Sequence, residues 1–222
     1  MIMAYTKSQA RLDAPPLEAV RTPESAALPY RFLSRMIERE FPCRDTGVAL
    51  ALCAPDGDQV STNVILMLAY CLHQELDASV LVIDACTGEL GGGVSERLGM
   101  GAQPGLKEML RTDPTGLDQL VQPLATPGVA VLPRGRDDGE PTRALHHALP
   151  ALLGQAKARH AYVLLQVSSV TSDTRSMVTA THADAVVLLA REHHTLMSTL
   201  RASEQLLRGN GAREIRAVVV AG

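Results

Sequence analysis

Six short apolar runs constrain the fold of this 222-residue chain more than any other feature of its sequence. They are rich in valine, leucine and alanine, and they span residues 48–53, 80–83, 129–132, 162–167, 185–190 and 215–220. Most of these runs do not alternate polar with apolar residues, which indicates strands covered on both faces, as in a parallel sheet. Parallel strands need long crossover connections, so the runs predict an α/β fold.

Helical patterns lie between most of the runs and agree with that prediction. Apolar residues recur at helical spacing in residues 30–41, 63–76, 105–111, 142–160 and 195–208. Within the first of these helices, the expected buried face contains Phe32, Leu33, Met36, Ile37 and Phe41. Alternation of strands and helices along the whole chain predicts a three-layer, doubly wound α/β domain with a mostly parallel sheet.

The domain is expected to cover residues 28–222. Residues 1–27 are polar, contain Pro15, Pro16 and Pro23, and predict an extended N-terminal lead-in. No internal repeat or second domain is indicated.

The overall composition narrows the functional class. A net charge of −3 argues against general nucleic-acid binding, which needs clustered positive charge. No apolar run approaches the roughly 20 residues of a membrane-spanning helix, so direct insertion into a membrane is not expected. The N-terminus lacks the apolar stretch of a secretory signal, and the four cysteines form no CxxC pair. These features predict a cytoplasmic protein without a metal site.

Ligand sites in open α/β sheets lie beyond the carboxyl ends of the strands, so the segments that follow the strands are the most informative. A phosphate-binding loop after the first strand needs glycines, a lysine and a Ser or Thr that holds magnesium. Residues 54–62, APDGDQVST, contain Gly57 and the pair Ser61 and Thr62, but no lysine. Both hydroxyl residues are also expected as N-caps of the following helix.

Several strand and loop segments together resemble one known family. They are VLVIDA (80–85), PGLKEML (104–110), VAVLPRG (129–135), HAYVLLQVSS (160–169) and ADAVVLL (183–189). They are similar to the family patterns LLIDAD, PGLxxhL, hxhLPAG, YDYVIIDTPP and ADxVLLV, where h is any apolar residue. These patterns belong to the bacterial tyrosine kinases, a branch of the ParA/MinD-type P-loop ATPases that serves capsule and exopolysaccharide export. The resemblance covers residues 24–220 and implies the P-loop NTPase fold.

The catalytic motifs are where the chain departs most from this family. Laid against the family loop P-G-x-G-K-S-T, Gly57 matches the first glycine, Asp58 occupies the variable position, Gln59 replaces the second glycine and Val60 replaces the lysine. Ser61 and Thr62 match the hydroxyl pair. The resemblance therefore implies a pseudo-ATPase, in which residues 57–62 are the remnant of a Walker A loop.

The two aspartate motifs are altered as well. Gln166 stands at the position of the Walker B aspartate, and Cys86 replaces the second aspartate of the LLIDAD motif. Asp84 is retained, either as a functional remnant or as a residue that caps the turn after its strand. Neither ATP nor magnesium is expected as a cofactor, because the loop also carries Asp56 and Asp58, which would repel a triphosphate.

Other polar residues carry weaker signals. Adjacent histidines, His146 with His147 and His193 with His194, point apart and predict solvated surface rather than a metal clamp. Arg134 and Arg136 are expected on the surface, facing either solvent or a partner.

The resemblance implies a non-catalytic kinase-fold partner or regulatory subunit of an exopolysaccharide or capsule system. It would be cytoplasmic and peripheral to the inner membrane, through a polysaccharide co-polymerase or a kinase homologue. Tyr30 to Leu33 resembles a segment that family members use in self-association, and whether the chain forms a homo-oligomer stays open.

Two alternatives remain. In the first, the chain is an active, divergent kinase or ATPase whose lysine comes from elsewhere, with Lys107 as the candidate in the fold. In the second, it is a MinD/ParA-like positioning ATPase, which would need a nucleotide switch.

Overall fold

The computed structural model describes residues 24–55, 60–86, 93–111, 116–136 and 142–220. Seven strands form one sheet: β1 (Val48–Cys53), β2 (Val80–Asp84), β3 (Gln122–Pro123), β4 (Val129–Leu132), β5 (Tyr162–Val167), β6 (Ala185–Arg191) and β7 (Ile215–Val220). The helices of the described part are α1 (Glu24–Glu40), α2 (Val60–Leu76), α3 (Val94–Arg97), α4 (Leu106–Arg111), α5 (Leu117–Leu120), α6 (Thr142–Lys157), α7 (Thr174–Thr181) and α8 (Met197–Gly209).

The strand order is β3–β4–β2–β5–β1–β6–β7, and the paired strands are parallel except β3 with β4. This order confirms the mostly parallel sheet predicted from the apolar runs. β5 lies between β1 and β2, so the three strands that carry the candidate site are neighbours. Their carboxyl ends meet at the same edge of the sheet.

Two apolar layers cover the sheet and confirm the three-layer α/β architecture. One layer packs α1 and α2 against the sheet through Ile37, Ile65 and Leu72. The other layer packs α4, α6, α7 and α8 against the opposite face and includes Met109 and Leu152. Because both faces are covered, β2 and β5 are buried along their whole length.

All six apolar runs are strands in the structure, and β3 is the additional one. Helix α7 was not predicted, since its sequence TRSMVTAT has few large apolar residues. A start signal is nevertheless present, because the Asp173 carboxylate accepts hydrogen bonds from the backbone N–H groups of Arg175 and Ser176. The short helices α3 and α5 were also missed.

Helix α1 differs from its prediction in both length and orientation. It begins at Glu24, so residues 24–27 form its first turn rather than part of an extended lead-in, while residues 1–23 lie outside the described part. Leu33, Ile37 and Phe41 pack on the core, whereas Phe32 is 64% exposed and Met36 is also exposed. The prediction that all five share one buried face was wrong, because successive residues on a helix diverge by about 100°.

Helix α4 packs onto the turn that follows β4. This packing brings the PGLKEML segment (104–110) into contact with the VAVLPRG segment (129–135). The backbone N–H groups of Leu106 and Lys107 donate to the carbonyls of Pro133 (2.8 Å) and Arg134 (3.0 Å). Gly105 lies so close to the Pro133 carbonyl that a Cβ atom would collide with it. The PGL segment and the LPRG segment are therefore two halves of one backbone contact.

Candidate functional site

Three polar side chains that the sequence analysis noted separately lie in one cluster at the carboxyl ends of the central strands. Asp84 ends β2 and is in register with Gln166 of β5. Thr62 lies in the first turn of α2, directly after the loop that follows β1. All three side chains are buried, and the first residues of α3 bond Asp84 and Gln166.

The Asp84 carboxylate is fully buried (0% exposed), and both of its oxygens accept backbone hydrogen bonds. The N–H of Cys86 donates to Oδ1 (3.1 Å), and the N–H of Ser95 donates to Oδ2 (2.8 Å). Asp84 thus holds both the turn after its own strand and the first residues of α3. The contact with Cys86 is the turn-capping contact considered for Asp84 from the sequence.

Gly93 allows the chain to approach this carboxylate. A Cβ atom at position 93 would lie 2.5 Å from Oδ2 and 2.9 Å from Oδ1 of Asp84. These separations are shorter than van der Waals contact, so any larger residue would push α3 away from the strand.

The Gln166 side chain is equally buried (1% exposed) and links two helices. Its Oε1 accepts a hydrogen bond from the N–H of Val94 (2.7 Å), and its Nε2 donates to Oγ1 of Thr62 (2.6 Å). The Val94 N–H can only donate, so it fixes the amide with its oxygen toward α3 and its NH₂ toward α2. The amide therefore bridges the first residues of α2 and α3.

The structure describes only part of the loop that the sequence predicts to be a Walker A remnant. Gly57, Asp58 and Gln59 lie outside the described residues, as do the side chains of Val60 and Ser61. Helix α2 begins at Val60, so Ser61 and Thr62 are its second and third residues. The prediction that they are N-caps was wrong, because the helix starts one turn earlier than the apolar pattern indicated.

Cys86 follows the cluster as a neutral thiol. Burial, and next the neighbouring Asp84 carboxylate, raise the pKa of the Cys86 thiol above its ordinary value. Where the family pattern has a second aspartate, this chain therefore presents an uncharged group.

Arg134 is an inward-directed residue rather than one of two surface arginines. Its guanidinium forms an ion pair with Glu96, and its backbone N–H donates to Oγ of Ser95 (2.8 Å). Arg136 is exposed, and its N–H donates to Oε1 of Glu108 (3.1 Å). The expectation for Arg134 was wrong because α3, whose position depends on Asp84, brings Glu96 beside it.

Ser168 and Ser169, aligned with the two prolines of the family pattern YDYVIIDTPP, join the ends of two strands. The Ser169 hydroxyl donates to the carbonyl of Pro55 (2.7 Å) and lies 2.9 Å from Oγ1 of Thr171. The Cys53 thiol donates to the carbonyl of Ser168 (3.3 Å). These bonds connect the end of β5 with the start of the segment that leads into the Walker A remnant.

The histidines lie away from this cluster. Nδ1 of His146 and Nε2 of His182 are 3.1 Å apart and link α6 to the end of α7. His193 and His194 are exposed. Among the residues with described positions, no three His, Cys, Asp or Glu side chains are grouped so as to hold a metal ion.

No family model and no curated protein matches the chain. Its fold is nevertheless that of solved kinase domains. The kinase domain of the Escherichia coli tyrosine kinase ETK superposes with a TM-score of 0.82 at 23% identity, covering 98% of this chain and 84% of that one. The BceF tyrosine kinase domain gives 0.72 at 20% identity, with coverage of 97% and 85%. The fold of the branch suggested by the sequence motifs is therefore confirmed.

The wider ATPase group is represented among the similar structures as well. A plasmid partition protein from Borrelia burgdorferi has a TM-score of 0.59 at 14% identity, and the match covers 79% of each chain. In the part of the chain with described structure, no helix has both the length and the apolar character needed to cross a membrane.

Proposed function

We propose that this chain is a non-catalytic, kinase-fold partner or regulatory subunit of a system that makes and exports exopolysaccharide or capsule. The observation that carries the proposal is the valine at the start of α2. That helix begins at Val60, where P-loop proteins carry the lysine that contacts the terminal phosphates of ATP. Asp56 and Asp58 precede it in the sequence, so a triphosphate would meet two negative charges and no lysine.

The position of Lys107 does not favour the alternative of an active, divergent kinase. Lys107 is in α4, which is bonded to the turn after β4. In the sheet, β2 and β5 lie between β4 and β1, the strand that precedes the Walker A remnant. Three strand spacings of about 4.8 Å each place that turn on the order of 14 Å from the end of β1. This is longer than a lysine side chain.

The polar side chain at the Walker B position does not fit magnesium. Magnesium needs oxygen ligands at about 2.0–2.1 Å, from the P-loop hydroxyl and, usually through water, from the Walker B carboxylate. Here the NH₂ of Gln166 is directed at the Thr62 hydroxyl over 2.6 Å. The NH₂ group supplies no lone pair that a cation could use.

The extent of the structural matches supports the kinase branch over the MinD/ParA-like alternative. The two kinase domains cover 97–98% of the chain, whereas the plasmid partition protein covers 79% and has a lower TM-score. The exopolysaccharide context comes from the sequence resemblance. The partner would be a polysaccharide co-polymerase at the inner membrane, or a catalytically active kinase homologue.

Nucleotide binding is the first test. Isothermal calorimetry of the full chain with ATP, with magnesium and with EDTA, is expected to show no saturable heat at millimolar nucleotide. An active kinase domain of the same fold serves as the positive control. Tight, magnesium-dependent binding together with hydrolysis that Asp84→Asn abolishes would overturn the proposal.

Partner binding is the second test. The full chain is expected to retain its binding to the cytoplasmic segment of a co-polymerase, or to an active kinase homologue, in EDTA and without nucleotide. The variant Thr62→Val is expected to bind equally well, since it alters the remnant site and not the surface. Binding that appears only with ATP and magnesium would favour an active switch instead.

A further inference from the structure

We propose that Gln166, at the position of the Walker B carboxylate, makes this site independent of a divalent cation. Its amide permanently joins the first residues of α2 and α3, so the site reaches its folded arrangement without a metal ion. This inference rests on the proposed function in one respect: both take the site to be cation-free.

Two short hydrogen bonds to separate parts of the chain carry the proposal. Gln166 bonds Thr62, which is 104 residues away in the sequence, and Val94, which is 72 residues away. Both bonds are buried, and both amide heteroatoms are used. In P-loop proteins the ion is held by the hydroxyl directly after the lysine, the position of Ser61 here, and by the Walker B carboxylate. Here the neutral side chain at the Walker B position instead bonds the next residue, Thr62, directly.

The neutrality of the amide matters because Asp84 lies beside it. Asp84 and Gln166 are in register on neighbouring parallel strands, so their side chains leave the same face of the sheet. They bond consecutive backbone amides, those of Ser95 and Val94. A second carboxylate at position 166 would place two buried negative charges side by side, which only a cation or a proton can relieve.

This reasoning predicts that a one-atom exchange creates a dependence on metal. Gln166→Glu keeps the shape of the side chain and replaces the NH₂ with a negatively charged oxygen. In EDTA, the midpoint of thermal unfolding of this full-length variant is expected to fall by roughly 5 °C or more. Addition of 10 mM MgCl₂ or MnCl₂ is expected to restore most of that loss. The same addition is expected to leave the wild-type midpoint unchanged.

Two control variants separate this effect from general damage to the core. Gln166→Met has a similar volume but removes both hydrogen bonds, so its midpoint is expected to fall without any response to the cation. Combining Gln166→Glu with Thr62→Val is expected to reduce the rescue by magnesium, since the hydroxyl next to the new carboxylate is then absent.

The proposal is overturned if Gln166→Glu is as stable as the wild type in EDTA, or if magnesium raises both midpoints equally. If Gln166→Glu does not fold, the bridge is tested instead by hydrogen exchange of the Val94 amide in Gln166→Met. Faster exchange at Val94 supports the bridge, and unchanged exchange contradicts it.

None of these measurements contains nucleotide. If the wild type binds ATP, the proposed function is contradicted. The metal dependence of Gln166→Glu then still tests this inference separately.

Discussion

The centre of the sheet and the outer face of α1 differ in which kind of side chain is buried and which is exposed. At the centre, the polar groups of Asp84 and Gln166 are buried, and both are bonded to backbone or side chains of the same molecule. The outer face of α1, defined by Leu28, Phe32 and Met36, instead presents apolar side chains that are 48%, 64% and 48% exposed. Polar groups at the centre are thus bonded inside the molecule, whereas the outer face of α1 leaves apolar side chains exposed to solvent.

The largest expected loss of stability comes from a substitution at the centre of the sheet. Asp84→Ala removes a buried acceptor and leaves the N–H groups of Cys86 and Ser95 without it, at a cost of about 2–6 kcal/mol of unfolding free energy. Chemical denaturation monitored by circular dichroism measures this loss. The exposed substitution Glu192→Gln serves as a control and is expected to change stability by less than about 0.5 kcal/mol. An Asp84→Ala variant as stable as that control would contradict the structural role of the carboxylate.

The next effect contrasts the two faces of α1. Ile37→Ala empties a buried site between α1 and α2 and is expected to cost about 2–5 kcal/mol. Phe32→Ala on the outer face of the same helix is expected to cost less than about 0.5 kcal/mol. Equal losses in parallel urea titrations would show that the outer face is covered in solution, and sedimentation would then identify a second copy as the cover.

A smaller loss of stability is expected when the hydrogen bond between the ends of β5 and β1 is removed. Ser169→Ala removes the buried bond to the Pro55 carbonyl and is expected to cost about 1–3 kcal/mol. Ser198→Ala, which changes an exposed serine near the start of α8, is the control and is expected to be nearly neutral. If both variants unfold at the wild-type urea concentration, the bond at Ser169 contributes nothing to stability.

The smallest effect is a pH dependence outside the centre. Burial, followed by the nearby His146, lowers the pKa of His182, and burial together with Arg159 lowers that of His160. The unfolded chain therefore binds more protons near pH 6.5. The contribution of these residues is complete above that pH and is lost as the pH falls through the lowered pKa values. His182→Gln is expected to flatten the decline of the unfolding midpoint between pH 7.5 and 5.5.

The exposed residue His193 provides the reference for that experiment. His193→Gln is expected to leave the slope of the unfolding midpoint against pH unchanged. A slope that is the same in the wild type and in both variants would exclude His182 as a source of the decline.

The sequence predicted most of the sheet because parallel strands leave a strong signal. Four of the six runs contain only apolar residues, and the other two contain one polar residue each, Gln166 and Arg216, which is the pattern of strands in a covered parallel sheet. Strand β3 is two residues long and contains Pro123, so it has no such pattern. Helix α7 contains so many polar residues that its sequence shows no helical spacing of apolar residues. The N-cap Asp173 is the one signal of where it starts.

The candidate site could be predicted only in part. The strand-end rule identified Asp84 and the Gln166 position, because both follow from where the strands end. It could not predict that the Gln166 amide contacts Thr62, since that bond joins residues 104 apart and depends on the fold around them. It also could not predict Glu96 as the partner of Arg134, because α3 is too short to leave a sequence pattern.

The central place of β5 has a consequence for how the chain folds during synthesis. β1 and β2 share no edge, because β5 is inserted between them and pairs with both. A nascent chain that has not yet reached Tyr162–Val167 therefore holds two strands that cannot complete their hydrogen bonding. Loop closure over such long separations makes folding slow. The bridge made by Gln166 forms in the same step, so the centre of the molecule is completed only after the chain has been made through β5.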